Sequence, residues 1–291
     1  MPPFLEAVSA KITDRWLSLV LPGFPLVGAV LASAVLGHRH GLDIARLTGA
    51  DERWATRLAT LPGTTIALLA IAAMLAAGAA GVVARAAGGL LRAVWTRPWL
   101  RGADRLTARR RDRWLRLQEE YEREVLARHH GDLADTNRMQ AIGRRRNRIA
   151  LAEPSRPTWM GDRLAAMEAR VLAEYSVDLA AAWPRLWLLL AEDGRTPIRQ
   201  AFTALDTAAT IAGWGVLYLA VGVVWWPAAI LGAAVILTGW WRARQAVDAY
   251  ADLTESTVDL YFSDLAQRFG LAAGDVRDVG PDLSARFRKG A

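Results

Sequence analysis

The hydrophobic positions of this chain gather into long uncharged runs near both ends, with helical stripes of apolar and charged residues between them. The longest run, Ala208 to Trp241, contains no Asp, Glu, Lys, Arg or His. One helix crosses a bilayer with about 17–25 residues, so this run predicts two, and Pro227 after the Trp225–Trp226 pair marks the place to turn. The prediction is a transmembrane hairpin with spans 208–226 and 228–241, its aromatic pairs Trp225, Trp226 and Trp240, Trp241 at the membrane interface. The second span has only 14 residues. At 1.5 Å per residue that is about 21 Å, which requires snorkelling arginines or local thinning.

Two more uncharged runs occupy 17–37 and 64–84. Pro22, Gly23 and Pro25 break the first, so a regular helix is expected from Leu26 onward. Ala32-Ser33-Ala34 also fits a signal-peptidase site, which gives residues 1–34 a second reading as a cleaved leader; the two prolines and the lack of a cationic start favour an uncleaved span. The second run, opened by Leu61-Pro62-Gly63, predicts a helix continuing to Trp95 and Thr96, where Arg97-Pro98 ends it. Between the runs, 38–62 reads as a polar connection with one helical piece around Leu42 to Leu47 and another, capped by Asp51, from Glu52 to Thr60. Small residues four apart, at Gly28/Ala32, Ala73/Ala77/Gly81, Ala209/Gly213 and Ala228/Gly232, permit close helix packing.

The region 97–204 reads as soluble helix. Trp114, Leu117, Tyr121 and Val125 form an apolar stripe ended by His129-His130-Gly131, and a second helix covers Thr136 to Ala152. Asp162 is placed as the cap of a helix with the face Leu164, Met167, Val171 and Tyr175. After a break at Ser176 to Asp178, Trp183, Leu186, Trp187 and Leu190 make a stripe too short to span, with Pro184 placed as for a first turn. This stripe suits either the membrane interface or the interior of a helical bundle. Thr196-Pro197 predicts the start of a helix running into the hairpin. No stop follows Trp241 until Gly270, so the last span should project outward as one long helix.

The chain therefore divides into a two-span region at 1–96, a cytoplasmic helical region at 97–204, the hairpin with its extension at 205–270, and a flexible tail at 271–291. The fold class is an all-α membrane protein with four transmembrane helices.

Charge sets the orientation. Nine arginines lie between Arg92 and Arg116 against Asp104 and Asp112, while 38–62 holds four. By the positive-inside rule the arginine-rich segment is cytoplasmic, 38–62 lies outside, and both termini are cytoplasmic in a multi-pass protein of the cell membrane. Of 36 basic residues only Lys11 and Lys289 are lysine, a bias that reflects coding composition, so the net charge of +7 makes no case for nucleic acid. With no cysteine, disulfides, thiol nucleophiles and cysteine metal sites are excluded. His38 and His40 have no third ligand at metal spacing. No phosphate-binding loop, nucleophile elbow, zinc-protease or dinucleotide motif occurs, so no cofactor and no enzyme chemistry is expected.

Two stripes begin near the membrane. Asp248, Asp252, Glu255 and Asp259 are spaced for one face of the last helix, and Arg101, Arg105, Arg109, Arg113 and Arg116 for one face of another. An acidic row beside an anionic leaflet asks for a cationic partner, and the arginine row, within one chain or across an oligomer, is the candidate; the alternative is two independently solvated stripes, the arginines being satisfied by lipid headgroups alone. Arg144-Arg145-Arg146 adds a further basic group. The expected role is a membrane anchor or scaffold presenting a helical cytoplasmic surface, with the lipid bilayer, its anionic headgroups and a protein partner or second copy as partners. The alternatives are a channel or transporter subunit and, less favoured, a membrane-embedded enzyme.

Pro157-Thr158, Gly161-Asp162, Ala166 through Glu168, Glu174-Tyr175, Asp178 and Trp183-Pro184-Arg185-Leu186-Trp187 resemble a family of uncharacterised integral membrane proteins of high-GC actinobacteria. The resemblance covers 155–270 and, more loosely, the first hundred residues. It implies two early spans paired with a late hairpin and carries no activity. Where that pattern has Asn after the glycine and Gly after the tyrosine, this chain has Asp162 and Ser176.

Overall fold

A computed structural model describes residues 21–97, 103–129, 136–271 and 276–288. Among these residues the chain forms ten α-helices and no strand. They are α1 Gly23–Leu36, α2 Ile44–Ala59, α3 Gly63–Thr96, α4 Asp104–His129, α5 Thr136–Ile149, α6 Trp159–Tyr175, α7 Leu179–Leu189, α8 Glu192–Gly222, α9 Trp226–Arg268 and α10 Val276–Phe287. Two of them, α3 and α8, are long and apolar enough to cross a membrane. The apolar helix α1 has 14 residues, and the run 228–241 forms the first part of the 43-residue α9. The chain falls into two compact units, one from 1–92 with 206–243 and one from 93–205 with 244–291.

In the first unit, small residues let the helices touch backbone to backbone. A Cβ on Gly213 of α8 would collide with the carbonyl oxygen of Ala84 in α3, and one on Gly215 would come within 2.7 Å of the Gly232 oxygen in α9. Ala77, Ala84, Ala212 and Ala228 are correspondingly sealed off. Of the small-residue pairs read from the sequence, Gly28 has nothing within 4 Å of its Cβ position and takes no part. Large apolar side chains point outward instead, with Leu68, Leu75, Val82 and Ile230 each more than 60 % exposed. At the turn between α8 and α9 the indole of Trp225 donates to the Gly41 carbonyl at 2.8 Å.

The connection 38–62 forms one helix rather than two pieces. Asp43, not Asp51, caps α2, accepting the Arg46 N–H at 3.1 Å.

The second unit has its core where α6, α7 and α10 pack on the outer part of α9, through Val171, Leu186, Val258, Phe262, Leu265 and Leu283. Thr158 caps α6, accepting from the Gly161 N–H at 3.0 Å. Asp162 lies in the first turn instead. Ser176 ends α6 with φ 52°, a left-handed conformation that favours glycine, and Gly280 of α10 packs against the backbone of that turn so closely that a side chain would collide with it.

Three further expectations are corrected in this unit. Asp178 caps α7 by accepting from the Ala180 and Ala181 N–H groups, which places Pro184 inside the helix rather than in a first turn. Helix α8 begins at Glu192, and the Thr196 hydroxyl donates back to the Glu192 carbonyl instead of capping a later start. The segment read as a flexible tail contains α10, whose Leu283 and Phe287 are buried; its apolar face finds a place in the core. Asp178 also receives the Arg288 guanidinium at 2.8 Å, and this bond holds its carboxyl below the usual range despite partial burial.

Candidate functional site

The charged heart of the second unit lies between α6 and α9. Arg163 and Arg170 are seven apart, so they share one face of α6, and the 4-3-4 spacing of Asp248, Asp252, Glu255 and Asp259 puts four carboxylates on one face of α9. These faces meet. Arg163 Nε donates to Asp248 at 2.9 Å, Nη2 to Asp252 at 2.5 Å and Nη1 to Glu255 at 2.7 Å. Arg170 continues the ladder to the second oxygen of Glu255 at 2.5 Å and to Asp259 at 3.3 Å, and the Tyr175 hydroxyl donates to Asp259 at 2.8 Å. Partner numbers rise together, so the two helices run in the same direction.

Arg163 is 4 % exposed. Burial works against its charge, and its hydrogen bonds to Glu255, Asp248 and Asp252 more than offset it, raising its pKa. Arg170, nearer solvent, is raised chiefly by its bond to Glu255. Tyr175 is pushed up to about 12, first by burial and then by its bond to Asp259. Each nitrogen of the Arg163 fork donates to a carboxylate. The geometry suits holding two helices in register.

A second buried pair roots α4 to α6. Asp162 accepts the Ser155 and Arg156 N–H groups at 2.8 and 2.7 Å, and Arg110 donates to its other oxygen at 2.5 Å and to the Ile149 carbonyl at 2.7 Å. Burial raises the Asp162 pKa, with those bonds opposing it. Nearby, Trp114 donates to the Ala150 carbonyl at 2.9 Å, and the Thr158 hydroxyl to that of Trp95 at 2.5 Å.

The structure thus joins the acidic stripe to Arg163 and Arg170, not to the arginine row. Arg105, Arg109, Arg113 and Arg116 are exposed on α4, and among the described residues none of them pairs with those acids; Arg101 lies outside the described residues. The seven-residue spacing of Arg163 and Arg170 was the available signal, and it is outshone in the sequence by a longer row with the same period.

The tryptophan stripe of α7 is divided. Leu186 and Leu190 are 0 % and 4 % exposed inside the bundle, so of the two readings of the stripe these two residues follow the bundle interior rather than the lipid interface: their area is already removed from solvent by α6, α9 and α10. Trp183 and Trp187 line an open, apolar cleft of about 830 Å³ with Ile198, Phe202 and Tyr250. In the first unit, Trp225 carries the bond to Gly41, Trp226 packs over the Gly41 backbone, and Trp240 stacks edge-on against the exposed Trp241. Arg92, eight residues past the run 64–84, and Asp206, two residues before the run 208–226, pair at 3.0 Å. No group of three His, Cys, Asp or Glu suited to a metal occurs among the described residues.

No protein-family model matches the chain, and neither a curated protein nor a solved structure is found to match it.

Proposed function

We propose that this chain is an integral membrane anchor: four spans at 17–37, 64–84, 208–226 and 228–241 hold a rigid helical body on the cytoplasmic side as a scaffold for a protein partner or a second copy. One observation carries this reading. Only 11 % of the most apolar 18-residue window of α3 is buried, whereas a helix in the core of a water-soluble protein buries most of such a window. With the close-packed small residues turned inward and leucines turned outward, the first unit has the arrangement expected of helices solvated by lipid. The Trp225 bond to Gly41 supports placing the hairpin tip and the 38–62 connection on one side, and the Arg92–Asp206 pair supports a membrane boundary at the opposite end. We further propose membership in the actinobacterial membrane family that residues 155–270 resemble. Washing membranes with alkaline carbonate tests the anchor. The chain is expected to stay in the pellet and to leave it only with detergent; recovery in the carbonate supernatant overturns the reading.

A further inference from the structure

Helices α4 and α5 form an antiparallel pair. Tyr121 lies against Gly143, Glu124 pairs with Arg138 at 3.1 Å, and Trp114 reaches Ala150. The amino-terminal half of α4 therefore lies beside the carboxy-terminal end of α5. Their exposed arginines collect at that end, with Arg105, Arg109, Arg113 and Arg116 from one helix and Arg144, Arg145 and Arg148 from the other. Arg110, Arg111, Arg138 and Arg146, by contrast, each have an acidic or amide partner. Among the described residues none of the seven meets a carboxylate. Exposed like charges placed side by side repel; Asp104 and Asp112 lie on the same stretch of α4 but the arginines outnumber them, so an anion that neutralises the excess is favourable.

The same end is tied to two segments that leave the apolar runs. Thr158, the cap of α6 nine residues past the end of α5, donates to the carbonyl of Trp95 in the last turn of α3. Arg244, three residues past Trp241, stacks at 4.0 Å over Trp159 and lies 3.5 Å from the Arg148 carbonyl. Arg244 follows the run 228–241 on the same helix, α9. On the register that sets Trp114 beside Ala150 and Tyr121 beside Gly143, Arg144 and Arg145 are level with Glu120 and Glu119, while Glu122 and Glu124 lie farther toward the other end of the pair.

We infer that this basic end of the α4–α5 pair is a binding surface for anionic phospholipid headgroups. This rests on the membrane reading above and assigns a specific face to it. Each arginine near an anionic leaflet strengthens attraction roughly fivefold, and guanidinium groups pair with phosphate in two-point geometry. Nucleic acid offers the same phosphates, but a surface bonded to Trp95 and Arg244, which follow the apolar runs 64–84 and 228–241 in the chain, meets headgroups first.

The test uses the full chain in mixed micelles of a neutral detergent and phosphatidylglycerol, with the thermal unfolding midpoint as the readout. The midpoint is expected to rise with phosphatidylglycerol and to stay unchanged with phosphatidylcholine, inorganic phosphate or a short single-stranded RNA. The variant Arg109→Gln/Arg113→Gln/Arg145→Gln/Arg148→Gln, with unchanged helical circular dichroism, should need at least about tenfold and, if the four fivefold effects multiply, on the order of several hundredfold more phosphatidylglycerol for the same rise. Lysine at those four positions should preserve the response. A glutamine variant that titrates like the parent overturns the inference, as does an equal rise with phosphatidylcholine, phosphate or RNA. Recovery in the carbonate supernatant would instead remove the membrane reading, independently of this titration.

Discussion

Arg163 and Arg170 donate to the same carboxylate of Glu255, yet they differ in what their loss should cost. Arg163 is 4 % exposed and its side chain serves three acids; Arg170 is 47 % exposed. Removing one partner of a desolvated pair leaves charge without compensation, at about 3–5 kcal/mol, whereas an exposed pair contributes about 0–1 kcal/mol. Because Asp248 and Asp252 are themselves half exposed and can rehydrate, Arg163→Met is expected to cost roughly 2–4 kcal/mol in denaturant unfolding of the full chain in detergent. Arg170→Met should cost about 1 kcal/mol or less. Equal costs would show that the ladder is hydrated throughout. Tyr175 gives the same site a pH signature. Its folded pKa, pushed up to about 12 from an ordinary value of 10.0, means the folded state holds the phenolic proton more tightly than the unfolded one. Its contribution is whole below about pH 10 and is lost as pH rises toward 12. The tyrosinate absorbance step missing from Tyr175→Phe should centre near 12; a step near 10 would mean that the hydroxyl is solvated.

At the scale of the element, two glycines in apolar helices make opposite predictions. Gly213 faces the Ala84 carbonyl with no room for a Cβ, while Gly28 of α1 faces open space. Gly213→Val should therefore force α3 and α8 apart and cost about 1–3 kcal/mol, and Gly28→Val should change stability by about 0.5 kcal/mol or less. Thermal unfolding of the two variants in one detergent decides this, and a neutral Gly213→Val refutes the close seam. Both glycines carried the same small-residue spacing in the sequence. Spacing identifies a face on which helices can approach; it does not say that a neighbour is there. Helix ends were more legible. The stop at Thr96 followed from Arg97-Pro98, whereas the start of α8 was misplaced because Thr196-Pro197 looked like a first turn, and Pro197 is accommodated as the sixth residue of the helix.

For the whole molecule, the proposed orientation places 38–62 outside and the second unit inside. In a chain without cysteine, single replacements report side directly. Thr60→Cys should react with an impermeant maleimide on intact cells, and Asp193→Cys and Ala285→Cys only after permeabilisation; labelling of Asp193→Cys from outside defeats the four-span arrangement. The sequence alone determined the helical class, the uncharged runs and the two charged stripes, because these are consequences of composition and of a 3.6-residue period acting within one helix. It also carried both readings of the α7 stripe without choosing between them. Only the tertiary structure decided that Leu186 and Leu190 turn into the bundle, that α10 completes the core, and that the acids take Arg163 and Arg170. The last of these depends on partners 85 or more residues away along the chain. Coulomb attraction accepts any suitably spaced arginine, so the packing of α6 on α9 chose among them.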